Sequence, residues 1–119
     1  MRQMLFLEYP PCSTCKKAKA WLEAQGLEYT ARHIKQDNPT YEELEDWYRR
    51  SGLPLKKFFN TSGLAYKALN LKDRLPQMSE EEQLRLLASD GMLVKRPLVV
   101  LGDVILTGFR EKEWEEKLK

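Results

Sequence analysis

The chain is poor in cysteine and histidine, with two of the first and one of the second in 119 residues. Two cysteines cannot build the disulfide framework of a small secreted domain. Together with a single histidine they also fall short of the four ligands of a structural zinc site, so no metal is expected. No apolar run reaches the about 18 residues that a membrane-crossing helix needs. The apolar run at the start, Met4 to Leu7, stops at Glu8, too soon for a signal peptide. Excess charge of one sign is scarce as well. Twenty Lys and Arg face eighteen Asp and Glu, a net charge of +2. That balance leaves no charge-driven footprint for nucleic acid or a membrane surface, and neither is expected as a direct partner. Internal repeats and low-complexity tracts are missing too. What remains is an ordinary globular mixture, 42% hydrophobic and 32% charged, long enough for one core. The expectation is a single domain over residues 1–119.

Met4 to Tyr9 reads as a buried strand, punctuated by Pro10-Pro11. A helix pattern runs from Ser13 to Gln25, with Cys15, Ala18 and Leu22 on one face and Gly26 as its stop. Leu27 to Ile34 alternates loosely and reads as a second strand. Thr40 and Glu43 have the spacing of a capping box, followed by Leu44, Trp47 and Tyr48 and a stop at Ser51-Gly52. Pro54 to Phe59 reads as a short helical turn. Thr61-Ser62-Gly63 opens a helix carrying Leu64, Tyr66, Ala68 and Leu69. Ser79 and Glu82 form a second capping box before Leu84, Leu86, Leu87 and Ala88, and Asp90-Gly91 breaks that helix. Leu98 to Leu101 and Val104 to Leu106 read as a hairpin across Gly102-Asp103. A last helix, Arg110 to Leu118, presents Trp114 and Leu118 on one side. The order β-α-β, helices, β-β-α predicts an α/β sandwich on a mixed sheet, with a helical insertion at about 40–90.

The two cysteines stand three apart, at Cys12 and Cys15, where the first strand hands over to its helix. A thiol reacts as thiolate, and the N–H groups and dipole of a helix N-terminus favour that charge. The spacing puts Cys12 at or near the N-cap and Cys15 one turn further in, on the core-facing stripe. Both sulfurs then share a face, within reach of a disulfide. Unequal roles follow: Cys12 attacks, and Cys15 resolves the mixed disulfide. Lys16 and Lys17 add positive potential. Two duller readings compete: half a zinc site, and two small buried side chains.

Other candidates carry less signal. His33 on a strand reads as a structural histidine, and Trp21, Trp47 and Trp114 as core. Pro97 opens a strand, and a cis Arg96–Pro97 bond would shape a wall beside the thiols. Arg96 and Arg110 could hold an oxyanion, although isolated arginines default to solvated surface. Backbone N–H groups of Ser13, Thr14 and Cys15 could cradle an anion.

Pro11-Cys12-Ser13-Thr14-Cys15-Lys16-Lys17-Ala18, the run Phe58 to Asn70, and Leu93-Val94-Lys95-Arg96-Pro97-Leu98 together resemble the glutaredoxin-linked arsenate reductase and Spx family. The resemblance covers nearly the whole chain. It implies a thioredoxin-like (glutaredoxin-like) three-layer sandwich with a four-stranded sheet, and a cis Pro97. From the reductases it implies Cys12 as nucleophile and Arg96 and Arg110 as oxyanion ligands. A third arginine position of those enzymes falls at Ser62, and a histidine assisting the nucleophile falls at Glu8, whose carboxylate would raise the thiol pKa. The reductases typically lack the second cysteine. From the Spx regulators the resemblance implies a Cys-x-x-Cys redox switch and contact with the RNA polymerase α subunit, with Gly52 matching a contact glycine.

The reading that follows is a cytoplasmic, arsenate reductase-like thiol–disulfide oxidoreductase. Its catalytic residues would be Cys12 and Cys15, with Ser13, Thr14, Arg96, Pro97 and Arg110 binding substrate. No bound cofactor is expected, and glutathione, glutaredoxin or thioredoxin would return electrons. The alternative is an Spx-like redox-sensing regulator that binds the RNA polymerase α C-terminal domain.

Overall fold

The computed structural model describes residues 3–119. Met1 and Arg2, part of the stretch weighed above as a leader, lie outside the described residues. The elements in chain order are β1 (Leu5–Glu8), α1 (Ser13–Ala24), β2 (Thr30–His33), α2 (Tyr41–Ser51), α3 (Leu64–Ala68), α4 (Leu71–Arg74), α5 (Glu80–Ser89), β3 (Leu98–Leu101), β4 (Val104–Thr107) and α6 (Glu111–Leu118). Short 3-10 turns fall at Leu55–Phe58, Leu75–Gln77 and Gly91–Leu93. The four strands form one sheet in the order β2-β1-β3-β4. β1 and β2 are parallel, and β1–β3 and β3–β4 are antiparallel, so the sheet is mixed.

Period-two alternation divides the sheet into two faces. Phe6, Val99 and Leu106 face α1 and α6, where they meet Ala18, Trp21, Leu22, Trp114 and Leu118. Leu7, Leu98, Val100 and Ile105 face the other way, onto Leu44, Trp47, Phe58, Leu71, Leu84 and Leu87. The helices between Tyr41 and Ser89 thus supply the third layer. Burying each of these Leu or Phe side chains contributes about 1.5–3 kcal/mol. Trp114 sits fully buried because its indole Nε1–H donates to the Gly108 carbonyl at 3.2 Å.

Both capping boxes form. Thr40 and Glu43 open α2, and Ser79 and Glu82 open α5. Glu43 does more than cap: its carboxylate takes both terminal nitrogens of Arg32, at 2.7 and 2.9 Å, tying edge strand β2 to α2. α1 ends one residue earlier than its pattern, at Ala24, and the Leu27 amide turns back to the Leu22 carbonyl across Gly26, at φ +70°.

Three elements are shorter than the sequence patterns. The first strand is Leu5–Glu8 rather than Met4 to Tyr9. The second begins at Thr30 rather than Leu27, because Leu27 is spent closing α1 and Tyr29 packs edge-on against Phe6. The helix expected through Leu69 breaks at Asn70, which takes a left-handed conformation (φ 53°) between α3 and α4. Leu69 lies outside both helices and is exposed. The last helix starts at Glu111, with Arg110 as its N-cap.

Candidate active site

Pro10 and Pro11 end β1 in a turn, and the Cys12 amide donates back to the Tyr9 carbonyl at 2.9 Å. That bond leaves Cys12 extended (φ −73°, ψ 124°) as the N-cap of α1, its carbonyl already accepting from Lys16 at 3.1 Å. No side-chain hydrogen bond caps this helix. The N-terminal amides therefore face a sulfur that gains from them only as thiolate.

The two thiols are pushed in opposite directions. Partial burial alone would raise Cys12. The Cys15 amide and thiol, the Thr14 amide and the charge of Arg96 together outweigh it, and the net direction is down from the ordinary thiol value. Cys15 is fully buried, and burial pushes its thiol up to about 12, with the adjacent Cys12 raising it further. Two of the groups holding Cys15 protonated are thus the thiol and charge of Cys12 itself. Both cysteines are free.

Cys12 opens onto a cleft of about 1200 Å³ between the Leu53–Leu64 segment and the Asp103–Arg110 segment with α6. Thr14, Arg96 and Arg110 line the same cleft. Arg96 is half-buried, its guanidinium 5.1 Å above the centre of the Tyr9 ring, and its terminal nitrogen donates to the Met92 carbonyl at 3.3 Å. Its Nε–H is buried without a partner. Arg110 is exposed at the α6 N-cap. The Arg96–Pro97 bond is cis, and Pro97 is buried with its carbonyl accepting from Gly108 at 2.8 Å. Ser13 points to solvent outside the cleft lining, so only its amide is available to the site.

Glu8 behaves differently from its expectation. It is buried and reaches Lys19 at 3.4 Å, and it is not among the groups acting on Cys12. The alternation of β1 puts it on the Phe6 face, beneath α1. His33 lies apart from the thiols: its Nδ1 accepts from the amides of Lys35 and Gln36 at 3.2 and 3.1 Å, closing a turn after β2. Among the described residues no group of three His, Cys, Asp or Glu side chains gathers as metal ligands. Sequence reasoning missed Tyr9, Lys95, Lys56, Lys57 and Lys117. Tyr9 carried one signal, its place between β1 and the cysteine loop. The lysines carried none, because they come from three distant segments.

The ArsC family model matches residues 7–117. The chain belongs to the ArsC family. It is 56% identical over 113 residues to the uncharacterized protein YusI of Bacillus subtilis, covering 95% of this chain and 96% of that one. It is 31% identical over 112 residues to the regulatory protein MgsR of the same organism, with 94% and 87% covered. Among solved structures, a possible arsenate reductase from Streptococcus mutans superposes with a TM-score of 0.87 at 47% identity, over 97% of this chain and 99% of that one. The thioredoxin-like resemblance read from the motifs and the mixed-sheet architecture therefore agree with the family. Where arsenate reductases of the resembled type place a third arginine, this ArsC chain has Ser62, exposed at the cleft wall beside Asn60. Gly52 closes α2 in the left-handed region (φ +68°) and is exposed, with nothing within 4 Å of a Cβ added there.

Proposed function

We propose that this protein is an arsenate reductase-like thiol–disulfide oxidoreductase working in the reducing cytoplasm. The observation that carries the proposal is the pairing of an open, acidified Cys12 with a buried, protonated Cys15 one helical turn behind it. The Cys12 thiolate attacks one sulfur of a disulfide R–S–S–R′, forming a mixed disulfide and releasing R′S⁻. Cys15 loses its proton and attacks the Cys12 sulfur, releasing RS⁻ and leaving a Cys12–Cys15 disulfide. With arsenate, the first adduct forms with loss of water. Attack of Cys15 then delivers two electrons to arsenic and releases arsenite. A dithiol or glutathione, supplied directly or through glutaredoxin or thioredoxin, restores the reduced pair.

The adduct itself primes the second step. Once Cys12 is covalently engaged, its negative charge no longer opposes ionisation of Cys15. Arg96 and Arg110, with the amides of Ser13, Thr14 and Cys15, offer the charge and donors that steady an anionic leaving group.

The test is an assay panel of arsenate and a small disulfide, with wild type, Cys12→Ser, Cys15→Ser and Arg96→Ala. Cys12→Ser abolishes all turnover. Cys15→Ser stops at a trapped Cys12 adduct visible by mass spectrometry. Equal activity of Cys12→Ser and wild type contradicts the proposal. Kinship to MgsR supports a second reading, in which the same dithiol is the switch of a regulator binding the RNA polymerase α C-terminal domain. That reading predicts a stable complex in one redox state, and pull-down in both states decides it.

A further inference from the structure

The cleft beyond Cys12 concentrates positive charge. Lys56, Lys57, Lys95, Arg96, Arg110 and Lys117 line it, against Asp103 and Glu113. The whole chain carries only +2, so this imbalance belongs to the cleft and not to the composition. Elsewhere basic side chains find carboxylates, as in Arg32–Glu43, Arg50–Asp46 and Arg85–Glu81. Among the described residues none of the cleft cations makes an ion pair. Like charges gathered on concave walls repel one another and focus a field that attracts anions.

The spacing of these cations says what size of anion fits. Arg110 and Lys117 stand seven residues apart on nearly the same side of α6, roughly 10 Å along its axis. A compact tetrahedral oxyanion cannot touch both. Lys56 and Lys57 sit on the opposite wall, in the 3-10 turn Leu55–Phe58. Between the walls the lining is partly apolar, at Leu53, Phe59, Val104 and Phe109. The cleft suits an elongated molecule with acidic groups spread along it and a body that can lie on hydrocarbon. Its concave shape favours a small ligand over a protein surface.

We infer that the substrate class of Cys12 is a small, acidic, peptide-like disulfide, selected by Lys56, Lys57 and Lys117 at a distance from the thiol. This rests on the oxidoreductase reading and names its substrate. The chemistry is the exchange already described: the substrate disulfide is the oxidant, its two halves leave as thiolates, and an external dithiol supplies the electrons.

The experiment uses the reduced full chain and three capped tripeptide disulfides of equal length, built from Cys-Asp-Asp, Cys-Asn-Asn and Cys-Lys-Lys. Adduct formation at Cys12 is followed by rapid quench and mass spectrometry at low and high salt. The acidic disulfide reacts about tenfold faster than the neutral one at low salt, the lower end of electrostatic steering, and the basic one more slowly. High salt shrinks the difference. A Lys56→Glu, Lys57→Glu, Lys117→Glu variant loses the acidic preference and keeps the neutral rate, which also shows that it is folded. Equal rates for the acidic and neutral disulfides in wild type overturn the inference while leaving the oxidoreductase reading intact. So does an acidic preference that survives charge reversal, or an acidic disulfide-bonded protein that outruns the tripeptide. Failure of all three disulfides to form an adduct removes the oxidoreductase reading and this inference together.

Discussion

At the residue scale, the sulfur of Cys12 and the groups around it set the chemistry. Arg96 is one of the charges that lower the Cys12 pKa, whereas Arg110 is not. Arg96→Ala therefore moves the midpoint of Cys12 alkylation upward, and Arg110→Ala leaves it in place. Inhibition by sulfate separates their other role, since both variants weaken it. The thiols also leave opposite marks on stability. The Cys12 pKa lies below its unfolded value of 9.0, so its contribution to the reduced fold grows as pH rises through the folded midpoint and is complete above 9.0. Cys15, raised from 9.0 to about 12, contributes fully below 9.0 and loses that contribution as pH climbs towards 12. Urea titrations of Cys15→Ser against wild type detect this as a smaller alkaline loss in the variant. The roles of the two thiols were legible because spacing and helix periodicity fix which sulfur caps and which is buried. Tyr9 beneath Arg96 was not legible. That contact needs the chain ends of β1 and β3 to be neighbours, and only the folded sheet brings them together.

At the element scale, local sequence rules worked where a motif satisfies its own backbone and failed where distant atoms decide. Both capping boxes could be read because their partners lie three residues apart. The use of Glu43 by Arg32 could not, since those partners come from a strand and a helix. This contact holds the Glu43 carboxyl down at about 2, from an ordinary 4.5, first through the Arg32 hydrogen bonds. Its contribution is full above about 4.5 and is lost as pH falls towards 2. Arg32→Ala should therefore flatten the acid limb of the stability profile, measured by urea melts between those limits. Gly91 is a second case. A Cβ there would lie 1.9 Å from the Ile34 carbonyl oxygen, a backbone atom that cannot step aside. Its φ is not in the left-handed region, so the glycine is required for close approach and not for turning. Gly91→Ala should cost about 3 kcal/mol, the upper part of the overpacking range, read from the urea midpoint at unchanged slope. The break at Asn70 had no sequence signal, because a non-glycine residue with positive φ is uncommon.

At the scale of the whole molecule, one sheet separates two packed layers, and the cleft runs where α1, α6 and the Leu53–Leu64 segment meet at its end. Adjacent residues serve different layers, as Phe6 and Leu7 do. Leu98→Ala should therefore empty space on the α2–α5 side and cost about 2–5 kcal/mol by denaturant melt. The β-α-β opening made a parallel β1–β2 pair predictable. The place of β3 between β1 and β4 was not fixed by any local pattern, because the intervening helices permit either edge. The cationic cleft was equally hidden, since a net charge of +2 conceals where the charges gather. Whatever its substrate, the account stands on an accessible, ionised sulfur backed by a protonated one. The most direct measurement is the pH dependence of iodoacetamide alkylation of the reduced protein, with the modified residue mapped by mass spectrometry. The account predicts modification at Cys12 alone, with a midpoint below 9.0. A midpoint at or above that value, or Cys15 labelled as fast as Cys12, would contradict it.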